Sequence, residues 1–295
     1  MAAEVVVFDG LNVAPRVSPH RKTVLRITDL FELADERRLR TGMSRHQAGA
    51  YYSPRHRHNF DQVRFTLEGA VKYGPIQTQA GDAVYFPEGV FYGPTEVVSE
   101  EALTWTIQTQ GPTWGFFPDR PLLESTTAEL AAEAELDRDH GRIRWPSGRW
   151  QDSYEAAWER IMGQKMVYPP ARYLTPVLLR ASNFSWVPRA RVPGVSEKAI
   201  ARFNETGPTI TMLRIEPGAS LPGGQADAHQ IAAVVTGSAR YGDQAIARGT
   251  ILYYPPGATY APINADEPCE ILAIQVVPKA AAPIAADALA AAATA

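Results

Sequence analysis

Cysteine is almost absent: Cys269 is the only one in 295 residues. A single thiol excludes a disulfide framework and any thiolate metal cluster, and it fits a reducing, cytoplasmic setting. Histidine is scarce too, with six in the chain, so a metal centre has few residues to draw on. Outside the Ala-rich end no run reaches about 18 apolar residues, so no membrane-spanning helix is expected. The start, MAAEVVVFDG, lacks a basic flank and a long apolar stretch, and no signal peptide is expected. The net charge is −3, and no cluster of Lys and Arg interleaved with aromatics occurs. Nucleic acid is therefore not an expected partner.

What is present is enough for two domains: the chain is 45% hydrophobic and 21% charged. A repeat organises it. Shifted by 168 residues, PRHRHNFDQVRFTLEGAVKYG falls on PGGQADAHQIAAVVTGSARYG, and GDAVYFPEGVFYGP falls on GTILYYPPGATYAP. From Pro54 to Pro94 eleven of forty-one positions are identical without a gap, where chance gives about two or three. The matches include Gln62/Gln230, Gly69/Gly237, Gly81/Gly249, Pro87/Pro255, Gly89/Gly257 and Tyr92/Tyr260. Two copies of this length describe a duplicated domain rather than a solenoid.

Each copy reads as short β-strands punctuated by glycine and proline, the pattern of a sandwich or small barrel. Helical patterns lie between the copies. Thr126-x-x-Glu129 reads as a capping box before an Ala/Leu run. Asp152 with Glu155 caps a second helix, with Tyr154, Trp158, Ile161 and Met162 on one face and Gly163 at its end. The expected architecture is all-β: a first β-barrel over residues 1–123, a short helical connector over 124–170, and a second β-barrel over 171–278. An Ala-rich tail, 279–295, carries no assigned function. Two smaller stretches stand out. RWPSGRW, from Arg144 to Trp150, reads as a cation–π surface turn, and VPRARVPGVSEK reads as a Pro-rich loop leading into the second barrel.

The spacing of histidine, glycine and proline resembles the cupin family. Its motifs are G-x5-H-x-H-x3/4-E-x6-G and G-x5-P-x-G-x2-H-x3-N. Here His56-x-His58-x3-Gln62-x6-Gly69 follows Gly49, which lies one residue too early, and Gly81-x5-Pro87-x-Gly89-x2-Tyr92-x3-Glu96 forms the second motif. In the second copy the frame persists as Gly218-x5-Gly224-x-Ala226-x3-Gln230-x6-Gly237 and Gly249-x5-Pro255-x-Gly257-x2-Tyr260-x3-Asn264. The resemblance implies a bicupin: two tandem jelly-roll barrels. It further implies a divalent metal held in the first barrel by His56, His58 and Gln62, with Gln replacing the usual Glu and Tyr92 the usual His. Fe(II) is favoured, with Ni, Zn or Mn as alternatives. The second copy keeps no histidine at a ligand position.

Strand alternation adds to this. Gln62, Arg64, Thr66 and Glu68 share one face of their strand, and Gln230, Ala232, Val234 and Thr236 share the equivalent one. The first interior is thus polar and contains Arg64, while the second reads as apolar and filled. Arg64 requires a counter-charge, from Glu68, Asp82 or Glu88 or from a substrate carboxylate that it anchors. Asp61 and His229 should face away from the interior, and His46 is an outlying candidate for a third imidazole. The leading expectation is a metal-dependent, dioxygenase-like oxidoreductase acting on a small anionic or aromatic substrate. Arg64 would then bind the substrate and Tyr92 act as catalytic proton donor. The alternative is a non-catalytic bicupin that binds a small molecule or serves a structural role. Expected partners are a small-molecule substrate and, as an open option, a second copy in a homodimer.

Overall fold

Alternating β-branched and aromatic residues in DQVRFTLE form the strand Asp61–Glu68. It pairs antiparallel with Asp82–Phe86, setting Phe65 opposite Ala83 and Gln62 opposite Phe86. In the second copy His229–Thr236 pairs with Thr250–Tyr254, setting Ala233 opposite Ile251 and Gln230 opposite Tyr254. All four pairs of equivalent positions differ by 168, so the sequence repeat is a repeat of strand register. The structure, a computed structural model, describes residues 4–12, 14, 16–18, 24–25, 28–32, 38–49, 52–109, 111, 118, 120–203 and 208–276. The Ala-rich segment 279–295 lies outside the described residues.

The chain divides into two units. One takes the described residues within Val13–Leu178, the other those within Met1–Asn12 and Leu179–Ala282. Both are jelly-roll barrels, as the all-β expectation required. In the first, one sheet contains, side by side, Asp82–Phe86, Asp61–Glu68, Glu101–Thr109, Arg38–Gln47 and Thr28–Glu32. The other orders Tyr52–Ser53, Thr95–Val97, Ala70–Tyr73 and Ile76–Gln79. Val71, Tyr73, Val84, Phe86, Tyr92, Val97 and Ala102 form an apolar cluster in this barrel. In the second, the larger sheet centres on His229–Thr236 and Cys269–Val276, with Ser220–Leu221, Ile263–Asn264, Ser238–Tyr241 and Gln244–Ala247 in the smaller.

The boundaries differ from the expected ones at two places. Residues 4–12 do not join the first barrel. VVFD forms a strand, Val6–Asp9, that pairs antiparallel with Thr250–Tyr254, with Val6 opposite Tyr253. It satisfies backbone groups at what would otherwise be an open sheet edge. The helical segment, in turn, is part of the first unit rather than a free connector. Phe60 packs in one cluster with Leu123, Leu130, Ile143, Tyr154, Ala157 and Trp158.

The first helix, α1, runs from Arg120 to Glu133. It therefore starts before Thr126, which lies buried within it and is no cap. Thr127 Oγ1 donates back to the Leu123 carbonyl at 2.7 Å, a bond inside the helix that also occupies a Thr hydroxyl. The second helix, α2, spans Ser153–Met162 and begins and ends as read: the Asp152 carboxylate accepts from the Tyr154 and Glu155 amides, and Gly163 closes it at φ 64°. Its buried face holds Tyr154, Ala157 and Trp158, while Met162 in the last turn is exposed. In the turn RWPSGRW, Arg149 lies over the Trp145 ring at 5.7 Å and Arg144 over Trp150 at the same distance.

Gly69 and Gly237, identical in the repeat, show what fixes it. Their φ angles are 69° and 73°, and a Cβ would collide with the carbonyl oxygen of Glu101 or Pro268 respectively. Gly81 also has positive φ, but a Cβ there meets nothing. Gly81→Ala should therefore cost only the left-handed backbone, about 1–2 kcal/mol. Gly69→Ala and Gly237→Ala should each cost more than about 3 kcal/mol, since backbone must also move. Chemical denaturation of the three variants checks this order.

Candidate metal centre

His56 and His58 lie on the approach to the strand that carries Gln62 and Arg64. His56 exchanges two backbone hydrogen bonds with Tyr92, at 3.0 and 2.9 Å, which holds the first motif against the second. The second copy repeats this as Gly224 opposite Tyr260. His58 stacks on Phe60, with centroids 4.2 Å apart, and meets Tyr154 of α2 edge-on at 5.9 Å. Tyr154 in turn donates to Asn59 Oδ1 at 3.1 Å. The helix thus braces the loop that carries the histidines.

The imidazoles of His56 and His58 have centroids 4.7 Å apart. Two imidazoles on one ion, each with a metal–nitrogen bond of about 2.0–2.1 Å and about 90–110° between them, would put their centroids roughly 4.5–5.2 Å apart. His56 Nδ1 lies 2.6 Å from the Pro54 carbonyl. A carbonyl only accepts, so the proton sits on Nδ1 and the lone pair on Nε2, the tautomer that suits a ligand.

A hydrogen-bond chain runs from His58 into the barrel wall. Gln108 Nε2 donates to Gln62 Oε1 at 2.7 Å, and Gln62 Nε2 donates to the Tyr92 hydroxyl oxygen at 3.3 Å. The Tyr92 hydroxyl lies 3.2 Å from His58 Nδ1. In this direction Tyr92 donates to Nδ1, and the His58 proton rests on Nε2. At the far end Gln108 Oε1 is buried with no partner among the described residues.

The chain can also run the other way. Turning both amides over gives His58 Nδ1 donating to Tyr92, Tyr92 to Gln62 Oε1, and Gln62 Nε2 to Gln108 Oε1. The side-chain positions are kept, Gln108 Oε1 now accepts from Gln62 while Gln108 Nε2 takes the position that Oε1 left, and both histidines present Nε2 lone pairs. Gln62 then turns its carbonyl oxygen, which has a second lone pair, toward the histidine side. The residues fit a divalent ion in this polarity, with two imidazoles and a neutral amide oxygen. No three of His, Cys, Asp and Glu converge among the described residues, so no carboxylate completes the set.

Arg64 is half-buried two residues beyond Gln62. Its guanidinium carbon lies 5.3 Å from the Tyr73 ring centroid and 5.6 Å from those of Phe86 and Tyr92. Glu68 pairs with Arg45, at 2.7 Å, on the exposed side. A register shift between Leu103 and Thr104 opposite this strand accompanies the change of direction. Asp82 accepts from the Gln79 amide. Asp61 does face away from Gln62: it is buried and accepts from Tyr85, from the Glu88 amide and from Arg172. Burial raises its carboxyl pKa, against the pull of Arg172. His229 likewise turns outward, 2.9 Å from the Tyr253 hydroxyl.

Three participants were not foreseen from the sequence. Gln108 carried a signal, since Thr104, Thr106 and Gln108 alternate along Glu101–Thr109 and Gln108 pairs opposite Gln62. Phe60 stacks on His58 from two residues away, and Tyr154 carried no signal for this site, because it arrives on a helix nearly a hundred residues on. The filled second interior needs correcting. A cavity of about 440 Å³ occupies it, lined by Gln230, Ala232, Tyr254, Tyr260 and Ala273 among others. Gly224, Ala226 and Ala232 stand where the first barrel has His56, His58 and Arg64, and of these Ala232 lines the cavity, its small side chain leaving room that an arginine would fill.

His46 is placed near Arg64. Burial, and then the Arg64 charge, lower its pKa to about 4, so it is neutral at pH 7. Its folded pKa lies below the unfolded value, so the unfolded chain binds the proton first as pH falls. Stability contributed by neutral His46 is full above about pH 6.5 and lost between there and about 4. His46→Gln should flatten the melting temperature against pH in that window. An unchanged slope would remove His46 as its source.

Comparison with known proteins agrees with this architecture. Residues 175–280 match the ChrR cupin-like domain family. No curated protein matches the chain. Among solved structures, a candidate dioxygenase from Nostoc punctiforme superposes with a TM-score of 0.60 at 14% identity, covering 96% of this chain and 86% of that one. Oxalate decarboxylase from Bacillus subtilis superposes at 0.58 and 16% identity, covering 94% and 77%. A further structure of that decarboxylase, from work on its Mn(II) centres, gives 0.57 at 16%, covering 94% and 78%. At such identities the likeness establishes the fold. No helix among the described residues is long and apolar enough to cross a membrane. The repeat, the paired motifs and these superpositions together make the chain a two-barrel protein of the cupin fold.

Proposed function

We propose that the first barrel is the metal centre of a dioxygenase-like oxidoreductase acting on a small anionic or aromatic substrate. His56, His58 and the carbonyl of Gln62 would hold the ion. The observation that carries this reading is the histidine pair: 4.7 Å between centroids, with the Nδ1 proton of His56 held by Pro54. A divalent ion supplies Lewis acidity there and, as Fe(II), the favoured case, one-electron redox chemistry. Ni, Zn or Mn would suit the same donors.

The chain's own residues set the rest. The site carries the Arg64 cation and a neutral amide in place of a carboxylate, so it favours an anion. A planar guanidinium can take a carboxylate or enolate in two parallel hydrogen bonds. Tyr92 sits between His58 and Gln62 and can hand its hydroxyl proton to His58 Nδ1, with the Gln62 amide donating to the phenolate oxygen left behind. A cytoplasmic setting and a small-molecule substrate complete the reading.

A second reading is favoured by the same network. Gln62 already bonds at both ends of its amide, to Gln108 and Tyr92, as it would in a non-catalytic, purely structural barrel. Metal content separates the two. After anaerobic reconstitution with Fe(II), the protein should retain metal by elemental analysis, and His56→Ala or His58→Ala should lose it. Gln62→Glu should tighten binding, because it adds the missing negative charge and leaves Gln108 a partner. Tyr92→Phe should loosen it about 10- to 100-fold, as loss of a residue that orients a ligand does. Absence of retained metal in the wild type would overturn the reading in favour of the structural one.

Small organic acids should raise the melting temperature of the metal-loaded protein. Arg64→Leu should abolish that shift without lowering metal content, measured by thermal unfolding beside elemental analysis.

A further inference from the structure

We infer that the second barrel is itself a ligand-binding site, for an uncharged aromatic ketone or phenol of one or two rings, held without a metal. The inference is independent of the metal reading of the first barrel.

The cavity of about 440 Å³ is lined mostly by apolar groups, among them Val192, Leu213, Leu221, Ile263 and Ile271. This size and lining are those of small-molecule pockets, about 300–1,000 Å³ with a few placed polar groups. Three polar side chains line it: Gln230, Tyr254 and Tyr260. None of the three hydrogen-bonds another protein group among the described residues. Tyr254 is nonetheless 93% buried, at 7% relative exposure. Its hydroxyl, with no protein partner among the described residues, opens onto the cavity, where a ligand oxygen can take the place of water. Burial also pushes the Tyr254 pKa up, so its hydroxyl stays a donor at neutral pH.

The chemistry of the lining selects the ligand. It contains no Lys, His, Asp or Glu. Its one charged residue, Arg189, is exposed and lies 3.8 Å from Glu197. A charged ligand would lose its hydration in exchange for dipoles alone. A carbonyl or hydroxyl oxygen would instead receive the tyrosine protons. The rings of Tyr241, Tyr254 and Tyr260 follow one another edge to face, with centroids 6.3 and 5.4 Å apart. A further ring from the ligand can extend that series.

The entrance is specialised too. Arg189, Ala190 and Val192 line the cavity and belong to the loop VPRARVPG. Between them Arg191 has a φ of 63°, and it is the one non-glycine residue with positive φ among the described residues. Such a conformation in an arginine is costly, and residues held in it cluster at ligand sites. Gly224 completes the arrangement, since a Cβ there would lie 3.0 Å from the Tyr260 hydroxyl.

The test uses the full chain with acetophenone and 4-hydroxyacetophenone as probes and benzoate as the charged control. Saturation-transfer NMR and calorimetry should show saturable binding of the neutral probes, at least tenfold tighter than benzoate. Ala232→Phe, which puts a ring into the cavity, should abolish it. Tyr254→Phe should weaken 4-hydroxyacetophenone about fivefold, the worth of one hydrogen bond. His58→Ala, in the other barrel, should leave binding unchanged and so separates this site from the metal reading. The inference is overturned if the neutral probes fail to saturate, if folded Ala232→Phe still binds, or if binding disappears with His58→Ala. Should Ala232→Phe not fold, an unchanged affinity in Tyr254→Phe overturns it as well.

Discussion

Successive residues of a strand face opposite sides of its sheet, and a jelly roll has little interior to share among the sides that face in. That constraint governs both barrels here, and because their register repeats, it assigns the interior to equivalent positions. Gln62 and Gln230, Tyr92 and Tyr260, Tyr73 and Tyr241 occupy matching places. What separates the barrels is a handful of substitutions on one backbone frame: His56 against Gly224, His58 against Ala226, Arg64 against Ala232. The first barrel spends its interior on cations and hydrogen-bonding groups. The second leaves its interior as open space with an aromatic wall.

In the first barrel the direction of a single hydrogen bond fixes the others. Tyr92 is both donor and acceptor, so whichever way it points, His58 and both glutamines must follow. A carboxylate at position 62 would remove that freedom, because it only accepts. Glutamine costs the site a negative charge and gains it two stable polarities. Arg64 and neutral His46 share this barrel, and the Arg64 charge helps to keep His46 neutral.

Much of this was legible from residues alone. The repeat placed the two barrels and their register, alternation placed Gln62 and Arg64 on one face and turned Asp61 and His229 away, and Asp152 and Gly163 marked the ends of α2. Other features were not, for reasons of distance. Nothing in VVFD says that its partner strand lies at Thr250–Tyr254. Thr126 followed by Glu129 matches a capping pattern, but the helix had already begun near Pro121, whose fixed φ suits a first turn. The second interior looked filled because its residues are apolar, and hydropathy does not count volume. Ala232, where the first barrel has Arg64, was the readable sign of a hollow.

The Val6–Asp9 strand has a bearing on how the protein is made. Val6 pairs with Tyr253, far along the sequence, so this strand must wait for the strands of the second barrel before its sheet can receive it. Residues within Val13–Leu178 form a unit of their own in the meantime, and their contacts are available while the ribosome is still extending the second barrel. Domains fold as units as they emerge, and pairings across long separations come late. The first barrel can thus close while both of its flanks are unfolded, and Val6–Asp9 docks only once Thr250–Tyr254 is available.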